Sequence, residues 1–272
     1  MTSDARRERL ERIAAEVAAG RGGVEELCAA LGVSVATVRR DLGVLAADGR
    51  VTRTYGGAVT AGHATERRLR EKEIANRAGK RAIARYAAGL VREGDVLIID
   101  AGTTTGGLAA RLRGVAGLTV VTNGVNTLSL LSECDGIDLV VLGGRLRHTS
   151  QAMVGPPAEA EVRRVVADRV FLGADGLSAH GISCPTLEQA SLKSAMAAQG
   201  REVYVLADHG KLGTEPFPYV APVDRGYTLI TDADADDDVL KALTGDRVRV
   251  VRAPAEPPEA GGSARTAAED AA

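Results

Sequence analysis

The sequence predicts an α/β chain in two parts, an N-terminal winged helix-turn-helix followed by a mostly parallel α/β domain. Three observations predict it. Leu31 to Ala58 reads as a tight turn, a helix cap, an amphipathic helix and a glycine-ended hairpin. From Lys80 onward, short apolar strands such as VLIID, LTVVT and VYVLAD alternate with amphipathic helices, the pattern of a parallel sheet covered on both faces. A length of 272 residues with 45% hydrophobic content exceeds one typical domain and supplies aliphatic side chains for two cores. The divisions expected are 1–59 for the winged module, 60–79 for a charged linker, 80–253 for the α/β domain and 254–272 for a disordered tail rich in Pro, Gly, Ala and acids.

In the first module, Ser3 or Asp4 caps a helix in which Leu10, Ile13, Ala14 and Val17 recur at helical spacing until Gly20. A second helix from about Val24 places Leu27, Ala30 and Leu31 inward. Gly32 allows a tight turn, Val33 plugs the angle between helices, and Ser34 is the N-cap of a third helix. There Val35, Val38, Leu42 and Leu45 form one apolar stripe that must face the other two helices. Thr37 and Arg40 lie opposite the stripe, with Arg39 on its flank. Arg40 and Thr37 are therefore placed for base edges and Arg39 for phosphate. Beyond Gly49, RVTRTYGGAV alternates as a hairpin, bringing Arg50, Arg53 and Tyr55 beside the groove as a wing.

Charge alone does not make this argument. The formal net charge is −2, and residues 1–60 carry nine arginines against eight carboxylates. Affinity for double-stranded DNA must come from placement. Cys28, Cys134 and Cys184 show neither disulfide nor zinc spacing, so a reduced cytoplasmic setting is expected and no metal is assigned. The charged N-terminus and the absence of any run near the ~20 apolar residues needed to span a bilayer argue against secretion and a membrane partner.

In the second module, polar residues collect at strand ends, where ligands bind in parallel α/β folds. Asp100, Gly102, Thr103, Thr104 and Thr105 follow the first strand and open a helix, so that amides and hydroxyls surround a phosphate. Thr122 and Asn123 end the second strand, and Gly143 and Gly144 the third, with Arg145 and Arg147 close behind. Asp175 follows LGA, while Asp208, His209 and Lys211 follow VYVLA. Taken singly, each is an ordinary turn or cap residue; converging on one crevice, they favour a phosphorylated sugar or polyol.

The run from Val33 to Ala58 resembles the DNA-binding region of the DeoR family of bacterial transcriptional regulators. The residues that match its VSxxTxRRDLxxLxxxGxxxRxxGGA signature are Val33, Ser34, Thr37, Arg39, Arg40, Asp41, Leu42, Leu45, Gly49, Arg53, Gly56, Gly57 and Ala58. The connector resembles the family's too, with Glu73, Asn76 and Lys80 in matching places. The second module is similar to the family's effector domain through DAGTTT (100–105), TN (122–123), GGRLR (143–147), VGPPAEAEV (154–162), FLGADGL (171–177) and LADHGKLG (206–213), with Glu188 and Lys193 in the following helix. That domain is related in fold to ribose-5-phosphate isomerase and coenzyme A transferases.

The resemblance implies a repressor of a sugar or polyol operon, released from its operator by a phosphorylated metabolite and acting as a homodimer or homotetramer, with no cofactor and no enzymatic activity. One departure concerns the ligand: the family more usually has serine where this chain has His209, and Cys184 lies in a stretch expected to tune the pocket. The competing reading is a sugar-phosphate isomerase with an accessory DNA-binding domain, using Asp100, Asp175 or Glu188 as proton carrier. Against it, FLGADGL matches only part of the isomerase's DGADE signature. A third reading is an activator or dual regulator.

Overall fold

The computed structural model describes residues 3–19, 21–48, 50–54, 56–60 and 66–255. The expected contributions of Tyr55, Gly20, Gly49 and the tail from 256 lie outside the described residues.

The N-terminal part consists of α1 (Ser3–Ala18), α2 (Val24–Leu31), α3 (Val35–Ala47) and an antiparallel hairpin of β1 (Val51–Thr54) and β2 (Gly57–Thr60). Its core is Ile13, Val17, Leu27, Val38, Leu42, Leu45, Val51 and Ala58. Gly32 turns between α2 and α3 with φ +66°, a left-handed conformation that glycine adopts without a Cβ penalty. The Ser34 hydroxyl accepts the Thr37 amide at 3.3 Å and starts α3.

Two expected core positions are corrected. Val35 is 43% exposed because, as the first residue of α3, it projects past the end of the helix interface. Ala30 is also exposed, on the outer side of the short α2.

A segment expected to be mostly linker contains α4 (Leu69–Ile74), and α5 follows at Arg77–Ala88. The remaining elements are β3 (Val96–Ile99), α6 (Thr103–Ala109), β4 (Leu118–Thr122), α7 (Val125–Leu131), β5 (Ile137–Val141), β6 (Arg145–Arg147), β7 (Ala152–Val154), α8 (Pro156–Val162), β8 (Ala167–Gly173), β9 (Gly176–Ser178), β10 (Gly181–Cys184), α9 (Leu187–Gln199), β11 (Gly200–Leu206), β12 (Tyr219–Ala221), β13 (Tyr227–Thr231), α10 (Asp237–Leu243) and β14 (Val248–Arg252).

Seven strands form one sheet in the order β14-β13-β11-β8-β3-β4-β5, and every neighbouring pair is parallel. One apolar layer covers each face, the first around Ile98, Val170, Leu172 and Met196, the second around Leu97, Ile99, Leu108 and Phe171. Smaller antiparallel units, β6 with β7 and β12-β10-β9, stand off this sheet. Their three- and four-residue strands are too short to show a period in sequence.

The chain runs outward from β3 to β4 and β5, then returns to place β8 on the other side of β3. The carboxyl ends of β3 and β8 therefore flank the topological switch point, where open α/β sheets leave a crevice for ligands. No helix among the described residues is long and apolar enough to cross a membrane.

Candidate functional site

The crevice at the switch point is lined by Gly102, Thr103 and Thr104 after β3, by Gly173 at the end of β8 and Asp175 beyond it, and by Lys193 and Lys211. Each is held by backbone geometry. Asp100, 3% exposed, accepts the Gly173 amide at 3.1 Å and the Lys193 ammonium, whose Nζ also donates to the Gly173 carbonyl at 2.8 Å. This triangle ties β3, β8 and α9 together. Burial works against the Lys193 charge, but Asp100 outweighs it and raises the lysine's pKa. Lys211 reaches the Ala174 carbonyl at 2.6 Å.

Asp175 meets Lys72 of α4 at 2.7 Å. Burial pushes the Asp175 carboxyl up, yet the charges of Lys72 and Lys211 prevail and hold it at about 2. Three lysines and one carboxylate are the charged groups lining the crevice, a balance that suits an anion. Among the described residues the hydroxyls of Thr104 and Thr105 are buried without a hydrogen-bond partner, and that of Thr104 belongs to a residue of the crevice wall. Buried hydroxyls are ordinarily paired, so Thr104 has hydrogen-bonding capacity to spare at this wall.

Several expected site residues lie elsewhere. Thr122 spends its hydroxyl on the Ile99 carbonyl (2.7 Å) and the Gly124 amide (3.1 Å). Asn123 bridges the Ala101 amide and the Met153 carbonyl. Both position the β3 loop from beneath. The Gly143 amide donates to Glu161 at 2.7 Å, and Gly144 has φ +125° with the Val154 carbonyl 2.5 Å from where a Cβ would stand, so Gly144 is a backbone requirement. Glu188 pairs with Arg145 at 2.9 Å on the surface, 44% exposed. Cys184 is buried in the core, its thiol pushed up to about 12 by burial, and its neighbours Ser183 and Pro185 face the crevice instead.

Asp208 is fully buried with Lys211 Nζ 3.8 Å away and neither carboxylate oxygen hydrogen-bonded among the described residues. His209 turns away from the crevice toward Asp232, with Nδ1 2.6 Å from Oδ2 and its amide 2.7 Å from Oδ1. Arg147 reaches Glu66 of the connector.

Within the connector, Leu69 and Lys72 are the site residues that sequence reasoning missed. Leu69 and Lys72 of α4 line the crevice, and the Leu69 amide donates to the Thr149 carbonyl at 3.0 Å. Lys80, 7% exposed, donates to the Lys72 carbonyl, and burial followed by the Lys211 charge lowers its pKa to about 8. Asn76, with φ +44°, caps α5 through Gly79 N and donates to Asp232 at 3.3 Å. The spacing of Lys72 within a charged run gave no sign of this, because only the tertiary position of α4 brings it to Asp175.

In the N-terminal part, Arg39 and Arg40 are exposed on α3, and Thr37 shares its hydroxyl with Ser34 at 2.9 Å. Both arginines and the half-buried Arg53 line a cleft of about 500 Å³ together with His209, Asp234 and Asp236. Burial and the charge of Arg39 lower the Arg53 pKa. Arg50 is engaged, its fork meeting Glu11 of α1 at 2.9 and 2.6 Å, so a phosphate contact from it requires that pair to open.

A three-helix module with a two-stranded wing, joined to a parallel α/β domain with an anion-suited crevice, defines a ligand-responsive DNA-binding regulator. Comparison with known proteins agrees. The DeoR-like helix-turn-helix domain matches residues 9–63, and the DeoR C terminal sensor domain matches residues 75–233. The chain belongs to the DeoR family and is a transcriptional regulator.

Among its relatives, the HTH-type transcriptional regulator GlpR of Haloferax volcanii is 36% identical over 90% of this chain and 96% of its own length. A putative aga operon transcriptional repressor of Escherichia coli O157:H7 is 31% identical over 92% and 93%. The HTH-type transcriptional repressor GlcR of Bacillus subtilis is 34% identical over 76% and 81%. Among solved structures, ribose 5-phosphate isomerase A of Methanocaldococcus jannaschii overlaps 48% of this chain and 52% of its own, at 18% identity and a TM-score of 0.35, too loose a likeness to bear on function. The isomerase alternative is set aside, since the full-length relatives are regulators.

Proposed function

We propose that this regulator is a cytoplasmic repressor of a sugar or polyol operon, and that a phosphorylated sugar or polyol in the switch-point crevice lowers its affinity for the operator. The observation that carries this reading is the crevice wall, where Lys72, Lys193 and Lys211 outnumber Asp175 and the Thr104 hydroxyl lacks a partner. Basic side chains with neighbouring hydroxyls take the phosphate, and the carboxylate takes sugar hydroxyls. The names of two relatives as repressors support the sign of regulation.

Arg40 and Thr37 read bases from α3, with Arg39 and Arg53 on the backbone. One such reader binds weakly, so a homodimer or homotetramer presents readers in pairs to a repeated operator. The effector acts through a difference in its affinity for the DNA-competent and incompetent forms.

The test is thermal unfolding against a panel of phosphorylated sugars and polyols, because a ligand of the native state raises the melting temperature by mass action. The expected result is one stabilising compound that also releases operator DNA. A panel without any stabilising compound would remove the phosphorylated-effector reading and leave only the DNA-binding half.

A further inference from the structure

The crevice in this form is too narrow for a sugar phosphate. Its cavity holds about 40 Å³, room for only a few waters at roughly 10–15 Å³ each, whereas ligand pockets run to several hundred. Part of its cover is α4 of the connector, through Leu69 and Lys72. A sugar phosphate enters only if this cover moves.

What holds the cover is an ion-pair chain centred on Glu66. Its carboxylate is gripped by both arms of the Arg147 fork, Nη1 to Oε1 at 2.8 Å and Nη2 to Oε2, and Oε1 also accepts Lys72 Nζ at 3.3 Å. The Glu66, Lys72 and Arg147 side chains are only 8%, 15% and 16% exposed. Arg147 Nη1 also bonds the Ser150 hydroxyl at 3.2 Å, and Ser150 and Lys72 both line the crevice beside Thr103 and Thr104. A guanidinium fork and an ammonium around one oxyanion, with the Ser150 hydroxyl held beside them by Arg147 Nη1, form a donor set that suits phosphate, here filled by a carboxylate from the segment leading to the DNA reader.

We propose that Arg147, Lys72 and Ser150 form the phosphate subsite of the effector crevice, and that Glu66 is an internal anion which the effector phosphate replaces. Replacement breaks the Arg147–Glu66 pair, the tie that joins the start of the connector to the α/β domain, and loosens residues 66–72, so the reader is no longer held in one orientation relative to that domain. The switch is competitive: Glu66 and phosphate share one set of donors, and the bound form of each excludes the other. This inference rests on the phosphorylated-effector reading above.

The test uses the full chain and inorganic phosphate as probe. Calorimetric titration should show Glu66→Gln binding phosphate roughly tenfold or more tightly than the wild type, because a neutral amide competes poorly for the two cations. In the wild type, saturating phosphate should speed amide hydrogen exchange across 66–74, a readout independent of any variant's folding.

Equal phosphate affinity in wild type and Glu66→Gln, absence of phosphate binding to both, or slower exchange across 66–74 would overturn the assignment. If phosphorylated polyols still stabilise both proteins alike, the effector reading stands and only the displacement of Glu66 falls. If no phosphorylated compound binds either, both fall.

Discussion

Arg9 of α1 donates from Nε to Asp41 Oδ2 of α3 at 2.6 Å, and Asp41 is 1% exposed. The Arg39-Arg40-Asp41 triplet therefore divides its labour, with two arginines facing out from the helix and the aspartate locking it to α1. Arg9 remains 14% exposed, so removing its partner leaves a cation that water reaches in part. Asp41→Ala should cost about 1.5–3 kcal/mol, the range for hydrogen bonds to charged groups. Arg40→Ala should leave stability within about 0.5 kcal/mol and remove a base contact of about 1–3 kcal/mol. Thermal unfolding and anisotropy titration on a duplex recovered by in vitro selection with the wild type separate the two. Unchanged operator affinity in Arg40→Ala would take Arg40 out of the reader, and unchanged stability in Asp41→Ala would take the pair out of the fold's account.

Gly57, in the glycine pair that ends the wing, has a backbone reason to be glycine. A Cβ built on it stands 2.0 Å from the Gly22 carbonyl oxygen, because the wing crosses the chain entering α2, with Ala58 N donating to Gly22 O at 2.9 Å and Val24 N to Gly56 O at 2.7 Å. The obstacle is backbone, which no rotamer change moves. Gly57→Ala should therefore destabilise the N-terminal part by about 1–3 kcal/mol and weaken DNA binding without affecting the effector-induced rise in melting temperature. Gly56→Ala is not an equivalent control, since its φ of +83° strains any side chain even though space is open. A stable Gly57→Ala protein would show that the wing does not dock as described.

Thr104 carries a buried hydroxyl without a partner on the crevice wall. Replacing it by valine keeps the shape and removes an unsatisfied polar group, so the ligand-free protein should be as stable as the wild type or more so, by up to about 1–2 kcal/mol. The same change should reduce effector stabilisation, since the ligand loses an oxygen partner. Opposite movements of ligand-free stability and ligand response are the signature to look for in melting curves. A Thr104→Val protein with full ligand response would move the ligand off this wall.

The parts legible in sequence are those set by local rules. Gly32 and Ser34 dictate the turn and cap before α3, and the period of Val38, Leu42 and Leu45 gives its buried stripe. The apolar runs give a parallel sheet, and Thr103, Thr104 and Asp175 fall at its switch point because strand ends are readable from where such runs stop. Strand-end chemistry does not say which residues face inward. Thr122 and Asn123 support loops from below, Glu188 points to solvent, and His209 faces Asp232, all through tertiary placement that leaves no local period. Lys72 and Glu66 are the converse case, a charged connector that reads as solvated until folding lays it across the crevice.

His209 adds a pH dependence that the family's more usual serine would lack. Its bond to Asp232 raises the imidazole pKa above the ordinary 6.5, with burial opposing. Asp232 is pushed up by burial but more strongly lowered by the bonds from His209 and Asn76. A raised histidine pKa contributes stability that is fully present below 6.5 and lost as pH rises through the shifted value, whereas the lowered Asp232 pKa contributes above 3.8 and is lost only in stronger acid. Both contributions coexist in mild acid. The His209→Ser protein should thus fall furthest behind the wild type near about pH 6 and recover toward it by about pH 9, with a difference of no more than about 1 kcal/mol because the imidazole is a third exposed. Chemical denaturation of both proteins across that range measures it. A gap that widens with rising pH would mean that the imidazole is stabilised in its neutral form, and that the His209–Asp232 pair works as a neutral hydrogen bond.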